Sequence, residues 1–123
     1  MKKKDKYELT TGEGRTKVNL VAYHMGNDLV VCIYNKNAHI GAIALGEYDH
    51  KEDRASCSVI TRLGHKDDLV AQKAAYLMSR FLKRPVCVIA GIHLDKITTQ
   101  EIDEILESTG DLVDEFISRI AQQ

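Results

Sequence analysis

The chain has 123 residues, enough for one two-layer core and too few for two domains with a cleft between them. Its 17 Lys and Arg against 18 Asp and Glu leave a net charge of −1, and 44% of the residues are hydrophobic, the balance of an ordinary globule with no footprint for nucleic acid. No apolar run reaches the ~20 residues that cross a bilayer and no apolar leader opens the chain, so no membrane partner and a cytoplasmic location are expected.

Residues 1–6, with the Lys2–Lys4 cluster diluted by Asp5, read as a solvated tail rather than a nucleic-acid arm. A weak edge strand is expected at Tyr7–Thr11. Two β-rich runs, Thr16–His24 and Leu29–Tyr34, flank Met25-Gly-Asn-Asp28, where Gly26 and Asn27 supply the positive φ of a tight hairpin turn. Further strands are predicted over His39–Leu45 and Ala55–Thr61, giving the first half the pattern of an antiparallel meander.

The period changes after Gly64-His65. Leu69, Val70, Ala74, Leu77, Met78, Phe81 and Leu82 fall at helical spacing, with Asp67 and Asp68 opposing the positive end of the helix dipole. Pro85 stops this helix, and Val86–Ile92 is continuously apolar, the mark of a central strand. A second helix opens at Thr98, where Glu101 completes a capping box and Ile97 and Ile102 form a hydrophobic staple. Gly110 marks either a bend in this helix or a break into two. The order β-β-β-β-β-α-β-α specifies one α+β domain: a mostly antiparallel sheet of five to six strands with both helices on one face. Cys32, Cys57 and Cys87 are odd in number, lack CxxC spacing and lie in apolar runs, which predicts reduced core thiols.

Three short motifs place a histidine beside a glycine near a strand end: His39-Ile-Gly41, Gly64-His65-Lys66 and Gly91-Ile-His93, the last followed by Asp95. The second precedes a helix, whose first-turn N–H groups are able to bind a phosphate, with His65 and Lys66 adding donors and charge. Gly41 and Gly91 mark either a ligand's close approach or packing of the backbone. His39, His65 and His93 would also make a three-histidine zinc set with Asp95 as general base, although no HxH or HExxH pair supports it. Ser56 and Ser58 alternate with Cys57 along a strand without a nucleophile elbow, which excludes the common hydrolase pattern. His24 and His50 are expected at the surface.

Taken together, His39-Ile-Gly-Ala-Ile-Ala-Leu45, Ser58-Val59 leading into Gly64-His65-Lys66-Asp67-Asp68, Pro85-Val-Cys-Val-Ile-Ala-Gly-Ile-His-Leu-Asp95 and Thr99-Gln-Glu-Ile102 resemble the prenylated-flavin chaperone family, the D-subunit-like proteins of gallate decarboxylase. The resemblance runs from about Arg15 to Leu112 and extends in fold to the proteasome-assembly chaperones. It implies a non-catalytic accessory protein that takes prenylated FMN, or FMN, from a flavin prenyltransferase and delivers it to a UbiD-type decarboxylase. On that view the cofactor-binding positions are His39, Gly41, Gly64, His65, Lys66, Gly91, His93 and Asp95. With no Trp, two Phe and five Tyr, stacking partners for a flavin are scarce, so a homodimer in which a second subunit partly covers the ligand is expected. The alternatives are the metal-dependent enzyme and a protein-assembly module without a small ligand.

Overall fold

The computed structural model describes residues 5–63 and 67–122. Strands β1 (Lys6–Thr11), β2 (Val18–Met25) and β3 (Asp28–Tyr34) are followed by β4 (Ala42–Asp49), β5 (Arg54–Thr61), helix α1 (Asp68–Leu82), β6 (Val86–Gly91) and helix α2 (Thr99–Ala121). This is the predicted β-β-β-β-β-α-β-α order, and a short 3-10 turn at Gly14–Thr16 is added to it. Lys6, expected in the tail, opens β1 opposite Tyr23.

The six strands form one sheet in the order β1-β2-β3-β6-β4-β5. The expected meander therefore holds only for β1–β3. β6 is inserted between β3, which it meets in parallel, and β4, which it meets antiparallel. Local pattern specifies a strand but not its neighbour, and the most apolar segment takes the position flanked on both sides. The hairpin turn rests on Gly26, at φ +63°, while Asn27 is not left-handed.

Both helices cover the same face of the sheet. Alternation puts Leu20, Val31, Val88 and Ala44 beneath them at no exposure, with Met78 and Phe116 filling the layer above. Small residues let α1 approach closely: a Cβ on Gly46 would lie 2.4 Å from the Ala75 carbonyl oxygen. α1 ends on Lys83 in a left-handed conformation, two residues before Pro85, the sequence of events expected of a helix that must turn back into a strand.

α2 begins as read: Glu101 N–H donates to Thr98 Oγ1 (3.1 Å) and Thr98 N–H to Glu101 Oε1 (3.0 Å). Glu101 also pairs with Arg15, whose Nε lies 2.5 Å from Oε2, while Arg15 Nη2 donates to the Asp95 carbonyl at 2.7 Å. The Arg15 guanidinium first, then the Thr98 N–H, holds the Glu101 carboxyl at about 2, down from the ordinary 4.5. Because the folded value is depressed, this contact stabilises fully above pH ~4.5 and its contribution vanishes as pH falls towards 2. The stability difference between the wild type and Glu101→Gln should thus shrink across that window in urea melts, and a difference independent of pH would contradict the assignment.

α2 runs unbroken through Gly110, so 23 residues at ~1.5 Å each span about 34 Å. Space is open where a Cβ would stand on Gly110, and helix propensity then dominates. Gly110→Ala should stabilise the protein by about 1 kcal/mol in urea unfolding.

The cysteines depart from expectation, for none is fully buried. Cys57 lies under α1 with its Sγ directed at the Gln72 carbonyl (3.6 Å), whereas Cys32 and Cys87 sit on the sheet face opposite the helices. Burial pushes all three thiols up from their ordinary value.

Candidate functional site

The C-terminal end of β6 is the convergence point of the chain. After Gly91, the segment Ile92–Lys96 passes between the start of α1 and the start of α2. Asn35, at the end of β3 and only 2% exposed, holds the His93 peptide from both sides: its Nδ2 donates to the His93 carbonyl (2.9 Å) and its Oδ1 accepts the His93 N–H (3.2 Å). Asn37 Nδ2 donates to the same carbonyl at 2.9 Å. Two short polar side chains thus fix a stretch that belongs to no helix or strand.

Asp67, 7% exposed, does the same for the other side. Standing at the N-cap of α1, it makes no side-chain cap bond. Its Oδ1 accepts the Ile92 N–H (3.0 Å) and its Oδ2 lies 3.5 Å from His39 Nε2. His39 Nδ1 is 2.8 Å from the Asn37 carbonyl, which only accepts, so that nitrogen carries a proton. The contact with Asp67 becomes an ion pair when the ring holds both protons.

The two glycines of this region are filled by neighbours. Gly41 precedes β4 rather than lying inside a strand; its N–H donates to the Ala90 carbonyl (2.9 Å), and its carbonyl accepts from the Arg62 N–H (3.0 Å). A Cβ there would fall 1.9 Å from Asp67 Oδ2, and one on Gly91 would fall 1.6 Å from the His39 carbonyl oxygen. Gly41 makes room for the Asp67 carboxylate and Gly91 for the His39 backbone, the packing alternative, and neither leaves an open strand surface for a ring system. His39 likewise lies in the loop before β4.

Beside this polar knot is a cavity of about 770 Å³, within the usual range for small-molecule sites. His39, Asp67 and His93 edge it, and Leu69, Ile92, Ile97, Ile102 and Leu106 form much of its wall. Several of these are unusually open for large apolar residues: Leu69 69%, Leu106 48%, Ile102 42% and Ile97 39% exposed. Asp95 stays outside the wall, pairing with His93 Nε2 at 2.9 Å.

Of the residues picked out by sequence, His39 and His93 therefore reach the cavity, Gly41 and Gly91 do not line it but pack against Asp67 and His39, which do, and Asp95 pairs with His93. Gly64, His65 and Lys66 lie outside the described residues. Sequence reading missed Asn35 and Asp67 as organisers, and it assigned Ile97 to a staple alone and Ile102 to that staple and the apolar face of α2. The available signal was the width of the apolar stripe on α2: Ile102 and Leu106 extend it beyond what the sheet covers. His24, expected at the surface, is half-buried, with Nε2 3.2 Å from the Tyr7 hydroxyl.

No trio of His, Cys, Asp or Glu with metal-holding geometry occurs among the described residues, which do not include His65. No helix among them is long and apolar enough to cross a membrane.

The family described as "Prenylated flavin chaperone LpdD-like domain" matches residues 12–121. Protein LpdD of Lactiplantibacillus plantarum is 24% identical over 110 residues, covering 89% of this chain and 81% of its own length. Among solved structures, a chain from the crystal structure of a chaperone complex for yeast 20S proteasome assembly superposes with a TM-score of 0.62, covering 94% of this chain and 98% of that one at 13% identity. At that identity the likeness is one of fold.

Proposed function

The chain belongs to the prenylated flavin chaperone LpdD-like family, and on that premise we propose that it holds prenylated FMN in the cavity beside β6 and hands it to a UbiD-type decarboxylase. The role is accessory and non-catalytic. The carrying observation is the cavity's division into an apolar wall, Leu69, Ile97, Ile102 and Leu106, and a polar edge, His39, Asp67 and His93. That donor set fits a ligand with a broad apolar ring system and polar ring edges.

The wall is aliphatic throughout, so the ring would be held by apolar burial rather than aromatic stacking. Such contact is non-directional and reversible, which suits a carrier that must release its cargo. Among the described lining residues, only His39 and His93 are able to carry positive charge. Phosphate capture is assigned to Gly64, His65 and Lys66, which lead in sequence to Asp67, the N-cap of α1. Gly41 and Gly91 serve the site by admitting the Asp67 carboxylate and the His39 backbone that edge it, and Asp95 by orienting His93. The cofactor's chemistry belongs to the decarboxylase.

Co-expression with a flavin prenyltransferase tests the reading. The purified protein should carry prenylated FMN in native mass spectra and visible absorption, in preference to FMN. A protein that stays free of flavin after co-expression, and after anaerobic addition of reduced prenylated FMN, would refute it.

A further inference from the structure

Gly110 stands in the middle of α2, where glycine costs about 1 kcal/mol against alanine, and nothing inside the molecule requires it. No neighbouring atom lies within 4 Å of the place its Cβ would take, whereas Gly41, Gly46 and Gly91 each have neighbours pressed into that space. Gly110 opens instead onto a groove between the two helices, lined by Leu69, Lys73 and Leu77 of α1 and by Leu106, Gly110 and Val113 of α2. Leu69 and Leu106 also line the cavity beside β6, so groove and cavity share a wall. The α2 rim of the groove is acidic. Asp103, Glu107 and Asp114 recur at i, i+4 and i+11, one row beside Leu106 and Gly110, about 16 Å long. α2 carries seven acids and one base, although the net charge of the whole chain is −1. Glu101 pairs with Arg15 and Glu115 with Arg119, but Asp103, Glu107 and Asp114 enter no ion pair among the described residues.

We propose that the groove receives an amphipathic helix of the acceptor decarboxylase, its apolar side down on Gly110 and its basic side against the rim of α2. The proposal rests on the delivery reading above. Helices pack with their axes roughly 8–10 Å apart, and a residue without a side chain lets the backbones come closer. A groove of about 16 Å accepts about three helical turns. Apolar residues at helical spacing on the incoming segment meet Leu69, Leu77 and Leu106, and lysines or arginines on its flank meet Asp103, Glu107 and Asp114. A row of unpaired carboxylates steers a cationic partner and rejects an acidic one. A second copy of this chain would set acids against acids, and an anionic membrane surface is repelled for the same reason. Because Leu69 and Leu106 serve both surfaces, a docked helix bears on side chains that hold the cofactor, which couples release to contact with the acceptor.

The test measures docking without flavin, so its outcome is separate from that of the flavin reading. Titration of a fluorescently labelled apo UbiD-type decarboxylase with the flavin-free chain should show a complex that weakens as NaCl rises from about 50 to about 500 mM. Gly110→Leu, which fills the groove from open space, and Glu107→Lys, which reverses the rim, should each raise the dissociation constant at least ~10-fold. Neither residue lines the cavity beside β6, so both variants should retain prenylated FMN as the wild type does. Glu107→Lys, at an exposed position, carries the test alone if Gly110→Leu melts below the wild type. No complex with the wild type, or unchanged affinity in either folded variant, would overturn the proposal. A smaller mass in light scattering for Gly110→Leu than for the wild type would overturn it too, and would give the groove to a second copy.

Discussion

Gly91→Ala should be the most damaging single-methyl change in the molecule. The added carbon would stand 1.6 Å from the His39 carbonyl oxygen, with the His39 carbonyl carbon at 2.5 Å and its nitrogen at 2.9 Å. These are backbone atoms, so no rotamer change relieves the clash. The loop carrying His39 must move away from β6, taking with it the contact between His39 and Asp67 and the Gly41 N–H bond to the Ala90 carbonyl. A loss of about 3 kcal/mol, at the upper end for overpacking, is expected, together with a fall in melting temperature of about 10 °C. A fall of under ~3 °C would show that the loop yields freely and that the edge of the cavity at His39 is not rigid. Gly41→Ala, meeting the Asp67 carboxylate instead, should damage the site at a smaller cost in stability, because a side chain is able to shift.

The second large effect is on binding alone. Ile102 and Leu106 stand one turn apart on α2, both lining the cavity and both roughly half exposed. Replacing either by Glu removes little from the core, so melting temperature should change by no more than about 2 °C, as for other surface positions. Retention of prenylated FMN should fall at least ~10-fold, or ~1.4 kcal/mol, because a carboxylate must be desolvated against the ring and also repels the phosphate. Equilibrium titration of wild type and variant under anaerobic conditions measures this. Equal affinities would place the flavin elsewhere.

These two effects also show which parts of the molecule could be read from its sequence. The capping box at Thr98 and Glu101, the stop at Pro85 and the turn at Gly26 are local chemistry, complete within a few residues, and all three appear in the structure. The place of β6 between β3 and β4 is not local: hydrophobicity announces a central strand but carries no information about its partners. The glycines show the same division. Gly41 and Gly91 could be recognised as special, yet what fills their missing side chains, Asp67 and the His39 backbone, comes from distant sequence. Asp67 itself looked like an ordinary first-turn acid because its partners, the Ile92 N–H and His39, lie 25 and 28 positions away. The resemblance to the flavin chaperones rested on ordered motifs along most of the chain, and the family match supports it over residues 12–121. The helix-free face of the sheet is not visible in the alternation of any single strand. Only the register lines up Val21, Cys32, Ile89, Ile43 and Ile60 in one row.

Delivery of the cofactor is the step on which the proposed function rests. The decisive measurement is the activation of an apo UbiD-type decarboxylase by limiting prenylated FMN, followed as substrate decarboxylation, with the wild-type chain, with Ile102→Glu and with no chaperone. Faster and more complete activation is expected with the wild type, and activation with Ile102→Glu no better than without any chaperone. Identical time courses in all three would contradict it.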